Sequence, residues 1–251
     1  MNNLQTYKTY PYTFYQWIWK LVDWIYPPSC GGCGKFGVRW CLDCQQSLAK
    51  ISDPICPSCG VPTSNSVCPT CGDQPLALDG LRAYAGYAGA LRNAIHRLKY
   101  QRDVALGETL SYFLVELYYR VEWRVDIIVP VPLGVVRRRE RGYNQAALIA
   151  YPLSLAVHVP YDAKALSRIR ETSSQVDLGL SERLENVKNA FVADSARVNG
   201  RTILIVDDVT TTGATMNACA VALKKAGARY VYGFVVAKTI LSKGGKNDRA
   251  S

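Results

Sequence analysis

One segment near the C-terminus carries the strongest signal in the chain: Thr202-Ile203-Leu204-Ile205-Val206-Asp207-Asp208-Val209-Thr210-Thr211-Thr212-Gly213-Ala214-Thr215. The apolar run from Ile203 to Val206 predicts a buried strand of a parallel sheet covered on both faces. The polar residues that follow predict a short loop, and the pattern from Met216 to Ala226 predicts a helix. A strand, a polar loop and a helix N-terminus in this order are typical of an α/β fold.

The polar residues of this segment suit a phosphorylated ribose. Asp207 and Asp208 come at the carboxyl end of the strand, where open α/β sheets bind ligands, and vicinal carboxylates suit vicinal hydroxyls or a hydrated metal ion. The threonines and Gly213 offer hydroxyls and backbone N–H groups at the positive end of a helix dipole, as in phosphate sites. The alternative is a capped turn without a ligand, with Thr210 or Thr211 as N-cap. Two adjacent acids after an apolar strand argue against it.

The same segment resembles the loop that binds 5-phosphoribosyl-1-diphosphate (PRPP) in type I phosphoribosyltransferases. The resemblance implies that Asp207 and Asp208 are the catalytic pair that holds the ribose hydroxyls. It also implies that the 5-phosphate is bound by Thr210, Thr211, Thr212, Gly213, Ala214 and Thr215. Purine-salvage members of that family carry a third acid as a base, and the matching position here is Thr211. The sequence therefore shows no dedicated base and no acceptor pocket.

Composition indicates a folded chain with one substantial core and a small appendage, since the 251 residues are 49% hydrophobic. No apolar run approaches the length of a membrane span, and the N-terminus lacks the apolar core of a signal peptide, so we expect a cytoplasmic protein. Residues 1–80 carry five Lys/Arg and five Asp/Glu, whereas residues 81–251 carry 25 against 15. This basic excess predicts a polyanionic ligand, nucleic acid or both.

Residues 1–26 are expected to contain an amphipathic aromatic helix that ends before Pro27 and Pro28. Its apolar residues recur at helical spacing: Phe14, Trp17, Ile18, Leu21 and Ile25. Core or interface packing is favoured over a membrane anchor, because the polar face lacks the Lys/Arg enrichment of membrane-surface helices.

Eight of the nine cysteines form four C-x-x-C pairs within residues 27–75. The pairs are Cys30/Cys33, Cys41/Cys44, Cys56/Cys59 and Cys68/Cys71. Four correctly spaced pairs predict structural zinc bound by four thiolates per ion, in one or two sites, rather than disulfides or a redox motif. Consecutive and interleaved pairing both fit the spacing. A zinc ion with four thiolates carries a net charge of minus two, so this module is a poor candidate for the main nucleic-acid surface.

A second candidate site follows the predicted strand at Ile127 to Val129. The chain turns at Pro130 and Pro132, and four arginines come next: Arg137, Arg138, Arg139 and Arg141. Guanidinium groups match phosphate oxygens bidentately, so these arginines, with Pro132 and Leu133, are predicted contacts of the diphosphate of PRPP. The alternative is a solvated basic face.

The cysteine pairs, the Pro-Val-Pro-Leu turn, the Arg-rich run to Gln145 and the Asp-Asp-Val-Thr segment together resemble the ComF family. That family joins a double zinc ribbon to a phosphoribosyltransferase-like domain and is linked to DNA uptake in natural transformation. The resemblance implies a Rossmann-like parallel sheet flanked by helices over 80–240 and a zinc ribbon over 27–75. From its position at the end of the chain, we expect a disordered tail over 241–251. The resemblance also implies a flexible loop that closes over Mg²⁺–PRPP. The predicted functional side chains of that loop are Arg168, Arg170, Gln175 and Arg183.

Three functional hypotheses follow from these motifs. The chain is a PRPP-binding protein of the DNA-uptake machinery that binds single-stranded DNA and competence proteins such as a helicase or a DNA-processing factor. Alternatively, it is an active phosphoribosyltransferase on an unidentified acceptor without a DNA role, or a non-catalytic adaptor that has lost ligand binding.

Overall fold

The computed structural model describes residues 10–25, 27–170, 187 and 189–240. Its helices are α1 (Tyr10–Ile25), α2 (Leu42–Gln46), α3 (Pro69–Asp73), α4 (Gly89–Tyr100), α5 (Leu106–Arg120), α6 (Val135–Arg141), α7 (Gln145–Val157), α8 (Ser195–Val198) and α9 (Ala214–Lys225). Its strands are β1 (Gly80–Gly86), β2 (Ile127–Pro130), β3 (Leu166–Arg168), β4 (Phe191–Ala193), β5 (Thr202–Thr210) and β6 (Tyr230–Lys238). In these ranges no helix combines the length and the apolar content needed to cross a bilayer.

A parallel sheet with the strand order β1-β6-β5-β2 forms the centre of the molecule. Side chains of a strand alternate between its two faces, and β5 follows this rule. Ile203 and Ile205 enter the core shared with α9, whereas Leu204 and Val206 enter the core shared with α4, α5 and α7. All four side chains are fully buried, which confirms the predicted α/β sheet covered on both faces.

The strand β5 is longer than predicted, and its extension borders the cleft described below. We expected it to end at Val206, but it continues to Thr210 because β6 pairs with it as far as Thr210 and Lys238. On the other side, the pairing with β2 stops at Pro130 and Val206. Asp207 and Asp208 therefore lie within β5, beyond the point at which β2 stops pairing with it.

The short antiparallel pair of β3 and β4 lies beside α9, where Phe191 joins the core. The predicted flexible loop is the connection between these two strands. Arg168 and Arg170 are described, whereas Gln175 and Arg183 lie outside the described residues, as do the predicted tail and residues 1–9.

The N-terminal helix α1 ends before Pro27, as predicted, and contacts α7 through Tyr15 and Tyr151, whose ring centroids are 6.1 Å apart. Core packing of the predicted apolar stripe is wrong for its described members, because Phe14, Trp17 and Leu21 are exposed. The side chains of Ile18 and Ile25 are not among those described. Packing of this stripe against an interface stays a prediction.

Candidate functional site

A cleft of about 530 Å³ opens where the carboxyl ends of β2 and β5 separate. Most of the residues singled out in the sequence line it: Pro132, Leu133, Arg137, Arg141, Arg168, Asp207, Asp208 and Thr210 to Thr215. The carboxyl ends of parallel strands meet at one edge of a sheet, so segments distant in sequence converge here.

The two acids of β5 have different surroundings. Asp208 is buried, with its side chain 3% exposed, and its Oδ2 contacts the ammonium group of Lys99. Asp207 is half-buried, and its Oδ1 accepts a hydrogen bond of 2.9 Å from the backbone N–H of Asp208. Of the two, Asp207 is therefore the more accessible to a ligand.

These surroundings move the pKa values of the two acids in opposite directions. Burial, followed by the charge of Asp208, raises the pKa of Asp207 well above its ordinary value. Burial also acts to raise the pKa of Asp208, but the adjacent Lys99 ammonium outweighs it and holds that pKa below its ordinary value. Ionisation is therefore favoured at Asp208 over Asp207.

Lys99 is a site residue that the sequence did not single out. It lies in the last turn of α4, its side chain is 19% exposed, and it lines the cleft. Basic residues are common in the last turn of a helix, where they complement the dipole, so Lys99 resembled its neighbour Arg97 in the sequence. The approach of α4 to β5 in the folded chain shows that Lys99, rather than Arg97, faces the two aspartates.

The threonine-rich turn joins β5 to α9 with Gly213 as the N-cap residue. Thr210 is buried, whereas Thr211 is exposed and Thr212 accepts a hydrogen bond of 3.4 Å from the backbone N–H of Ala214 on its Oγ1. The N–H groups of the first helical turn have no acceptor within the helix and coincide with its positive end. The turn therefore supplies the donors that a phosphate group requires.

The arginine run forms the helix α6, which divides the predicted phosphate contacts into two sets. Arg137 and Arg141 line the cleft, whereas Arg138 and Arg139 are exposed and lie outside its lining. Residues four apart share one face of a helix, which explains the division. Arg141 is held in place by a hydrogen bond of 2.8 Å to Oε1 of Gln145 and by the ring of Tyr100, 5.2 Å away.

Two of the four predicted functional residues of the flexible loop, Arg168 and Arg170, are described, and they differ in position. Arg168 lines the cleft and lies 5.7 Å from the ring centroid of Phe191, and its Nε donates a hydrogen bond of 3.2 Å to the carbonyl oxygen of Arg170. Arg170 is exposed and outside the cleft lining.

The eight paired cysteines form two separate clusters, which settles the pairing as consecutive. Their members are Cys30, Cys33, Cys41 and Cys44 in the first, and Cys56, Cys59, Cys68 and Cys71 in the second. The resolved sulfur contacts, Cys30–Cys44, Cys33–Cys41 and Cys59–Cys68, are each 3.6 Å long. Tetrahedral zinc with Zn–S bonds of about 2.3 Å requires sulfur atoms about 3.8 Å apart, so both clusters fit zinc.

At one cysteine of each cluster the backbone favours the thiolate, whereas burial and hydrogen bonds with neighbouring cysteines raise the pKa of Cys44 and Cys71. Burial raises the pKa of Cys30, but several backbone N–H groups outweigh it, including that of Cys41 at 3.4 Å, and lower the pKa to about 6. The corresponding residue Cys56 behaves in the same way, with a pKa of about 6. Hydrogen bonds of this kind orient metal ligands and stabilise their charged form.

Each cluster is anchored to the sheet domain by a different element. At the first cluster, Arg97 of α4 donates a hydrogen bond of 2.7 Å to the carbonyl oxygen of Cys30, and Asn93 donates one of 2.9 Å to that of Gly32. At the second cluster, the buried Lys238 of β6 donates one of 3.1 Å to the carbonyl oxygen of Cys59. Lys238 was not predicted, because a lysine at the end of a strand usually points to solvent.

Two family models match this chain: a double zinc ribbon domain over residues 21–81 and a phosphoribosyl transferase domain over residues 113–247. The DNA utilization protein YhgH of Escherichia coli O157:H7 is 35% identical over 214 residues, covering 82% of this chain and 92% of that protein. Competence protein F of Haemophilus influenzae is 31% identical (74% and 85% covered), and competence protein ComFC of Bacillus subtilis is 29% identical (74% and 78% covered). This chain belongs to the ComF family.

Membership of the ComF family confirms two predictions made from the sequence. The sheet and its flanking helices have the type I phosphoribosyltransferase fold, and the cysteine clusters are the two sites of a double zinc ribbon. The cleft of this ComF-family chain occupies the sheet edge at which the predicted PRPP-binding residues meet.

Proposed function

We propose that this ComF-family protein binds PRPP in the cleft and acts in DNA uptake, where it also binds single-stranded DNA. One observation above all others supports PRPP binding. The acidic pair and the threonine-rich turn come from one segment of the chain, Arg137 and Arg141 come from another, and all of them line one cleft. In this proposal residues 80–240 form the ligand-binding domain, and residues 27–75 form the zinc module, which suits the reducing cytoplasm.

The chemistry of the cleft assigns a part of PRPP to each group. Asp207 and Asp208 would accept hydrogen bonds from the ribose hydroxyls, and the turn from Thr210 to Thr215 would surround the 5-phosphate. Arg137 and Arg141 would contact the diphosphate. The carboxylate and hydroxyl oxygens at this edge fit a hard cation, so Asp207 would help to hold Mg²⁺, which would supply positive charge beside the phosphate groups of PRPP.

The proposal is limited to binding and leaves transfer to an acceptor as the alternative. Thr211 stands where purine-salvage phosphoribosyltransferases carry an acid, and a threonine hydroxyl is a poor general base at neutral pH. The threonine therefore accords with a protein that binds PRPP as a sensor, or to recruit a partner in DNA uptake, without transferring the phosphoribosyl group.

Calorimetric titration with PRPP and Mg²⁺ tests the proposal directly. We expect the natural protein to bind and the Asp207→Ala, Asp208→Ala variant to lose detectable binding. Asp43→Asn is the control, because Asp43 is an exposed acid of the zinc module with its side chain 80% accessible. Absence of binding to the natural protein would contradict the proposal, and release of diphosphate would favour the transferase alternative.

The division of the arginines makes the DNA part of the proposal separable from the PRPP part. Arg138 and Arg139 are exposed outside the cleft, within the region that holds the whole basic excess of the chain. We expect Arg138→Ala with Arg139→Ala to weaken single-stranded DNA binding and to flatten its salt dependence while PRPP binding stays intact. Arg137→Ala with Arg141→Ala should impair PRPP binding. Unchanged DNA affinity in the first variant would count against this surface.

A further inference from the structure

Lys99 lines the cleft, but neither the sequence motifs nor the proposed contacts with PRPP account for it. Its side chain leaves α4 towards β5, where its ammonium group contacts Oδ2 of the buried Asp208. A lysine stem is long and flexible, and a surface lysine keeps its charge in water. Lys99 instead holds its charge at the base of the cleft, which costs free energy unless the charge has partners.

The ammonium group can serve more partners than Asp208 alone. It has three N–H donors, and Lys99 remains part of the cleft lining. The other charged residues that line the cleft are the acidic pair, Arg137, Glu140, Arg141 and Arg168, so the cleft holds both signs of charge. A cation in contact with Asp208 reduces the repulsion between that carboxylate and an anionic ligand such as a phosphate or a diphosphate.

The helix α4 gives Lys99 a fixed position. Asn93 and Arg97 attach α4 to the first cysteine cluster, and Leu91, Ile95 and Leu98 bury its other face in the core. A cation on a packed helix keeps its place without the ligand, whereas a dissolved metal ion must be recruited with it.

We propose that Lys99 is a permanent cation of the cleft, which holds Asp208 in place and donates to the anionic groups of the ligand. The site would then bind the phosphoribosyl diphosphate anion with little dependence on Mg²⁺. This inference rests on the proposed function and deepens it, because it specifies which form of the ligand the site takes.

Calorimetric titration with PRPP, in buffer with Mg²⁺ and in buffer freed of divalent ions by a resin, tests the inference. A strong soluble chelator is avoided because it would compete for zinc, and the zinc content is measured in each sample. For the natural protein we expect the dissociation constant to change by about threefold or less between the two buffers. For Lys99→Met we expect a loss of about tenfold or more without Mg²⁺, of which Mg²⁺ restores a part.

Two further variants show whether the charge itself matters. Lys99→Arg keeps the charge and is expected to restore part of the Mg²⁺-free affinity. Lys224→Met is the matched control, because Lys224 forms an ion pair of 2.7 Å with Asp79 away from the cleft. It should behave like the natural protein in both buffers.

Removing Lys99 alone leaves a buried carboxylate unpaired and can unfold the chain, so a second pair of variants keeps the test decisive. We expect PRPP binding by Asp208→Asn to depend weakly on Mg²⁺, as in the natural protein. PRPP binding by the double variant, Lys99→Met with Asp208→Asn, should depend strongly on Mg²⁺. Equal dependence on Mg²⁺ with and without Lys99 overturns the inference, and so does tighter binding once Lys99 is removed. If the natural protein binds PRPP in neither buffer, the proposed function itself fails, a result distinct from binding that requires Mg²⁺.

Discussion

The two cysteine clusters share one motif but differ in their surroundings. In the first cluster Cys33 is exposed, and a Cβ at Gly34 would meet no atom within 4 Å. In the second cluster all four cysteines are buried, and a Cβ at Gly60 would lie 2.4 Å from the carbonyl oxygen of Leu81. The turn after Cys33 is therefore open to solvent, whereas the turn after Cys59 is packed against β1.

This difference shows that an internal repeat in sequence need not be a repeat in structural role. The first cluster reaches the cleft through α4, which presents Lys99. The second reaches it through Leu76, which packs against the cysteines and would lie 3.9 Å from a Cβ at Gly213. We therefore expect damage to the second cluster to disturb the sheet and the threonine-rich turn more than damage to the first.

Loss of a zinc ligand is expected to have the largest effect. Structural zinc contributes on the order of 10 kcal/mol to the folding of small zinc modules. Cys56→Ser should lose one zinc ion and the cooperative unfolding of the sheet, whereas Cys33→Ser should lose one zinc ion and keep that transition. Zinc analysis and differential scanning calorimetry measure both results. Equal loss of cooperativity would show that the two clusters support the sheet equally.

The second-largest effect is expected when the buried Lys238 at the second cluster is replaced. Lys238 is 4% exposed and provides positive charge beside four thiolates. Lys238→Met should lower the free energy of unfolding by about 3 kcal/mol, because the buried negative charge loses its partner. Urea unfolding measures the change, with Lys224→Met as the control for a partly exposed ion pair, expected to cost about 1 kcal/mol or less. A similar cost for both lysines would contradict the role assigned to Lys238.

The corresponding glycines of the two clusters offer the sharpest comparison. Both have a positive φ, +80° at Gly34 and +67° at Gly60, which an L-residue adopts at a cost of about 1 kcal/mol. Gly34→Ala should cost only that amount, whereas Gly60→Ala should cost about 2–3 kcal/mol because its Cβ also meets the Leu81 carbonyl group. Urea midpoints of the two variants measure the difference, and equal midpoints would argue against the close packing of the second cluster.

The smallest effect is expected at the attachment of the first cluster. Asn93→Ala removes the hydrogen bond to the carbonyl oxygen of Gly32 and should lower the free energy of unfolding by about 1 kcal/mol without loss of zinc. Arg92→Ala, an exposed neighbour, is the control and should change it by less than about 0.5 kcal/mol. A loss of zinc from Asn93→Ala would mean that the first cluster depends on this contact more than its exposure indicates.

The features that could be predicted from the sequence are those encoded over short spacings. A C-x-x-C turn brings two sulfur atoms to one ion, and an apolar run followed by two acids and a threonine-rich turn specifies strand, site and helix. Local backbone geometry decides both patterns, so no knowledge of distant residues was needed. The parallel sheet and most of the cleft residues followed from them.

Other features depend on how separate elements approach one another. Lys99 became a site residue because α4 passes the end of β5, and Lys238 became buried because the second cysteine cluster covers β6. The arginine run could not be divided until α6 showed which residues share a face. The end of β5 could not be placed because the pairing with β6, rather than the apolar run, decides where that strand stops. Such contacts join residues far apart in the chain, and no spacing within one segment encodes them.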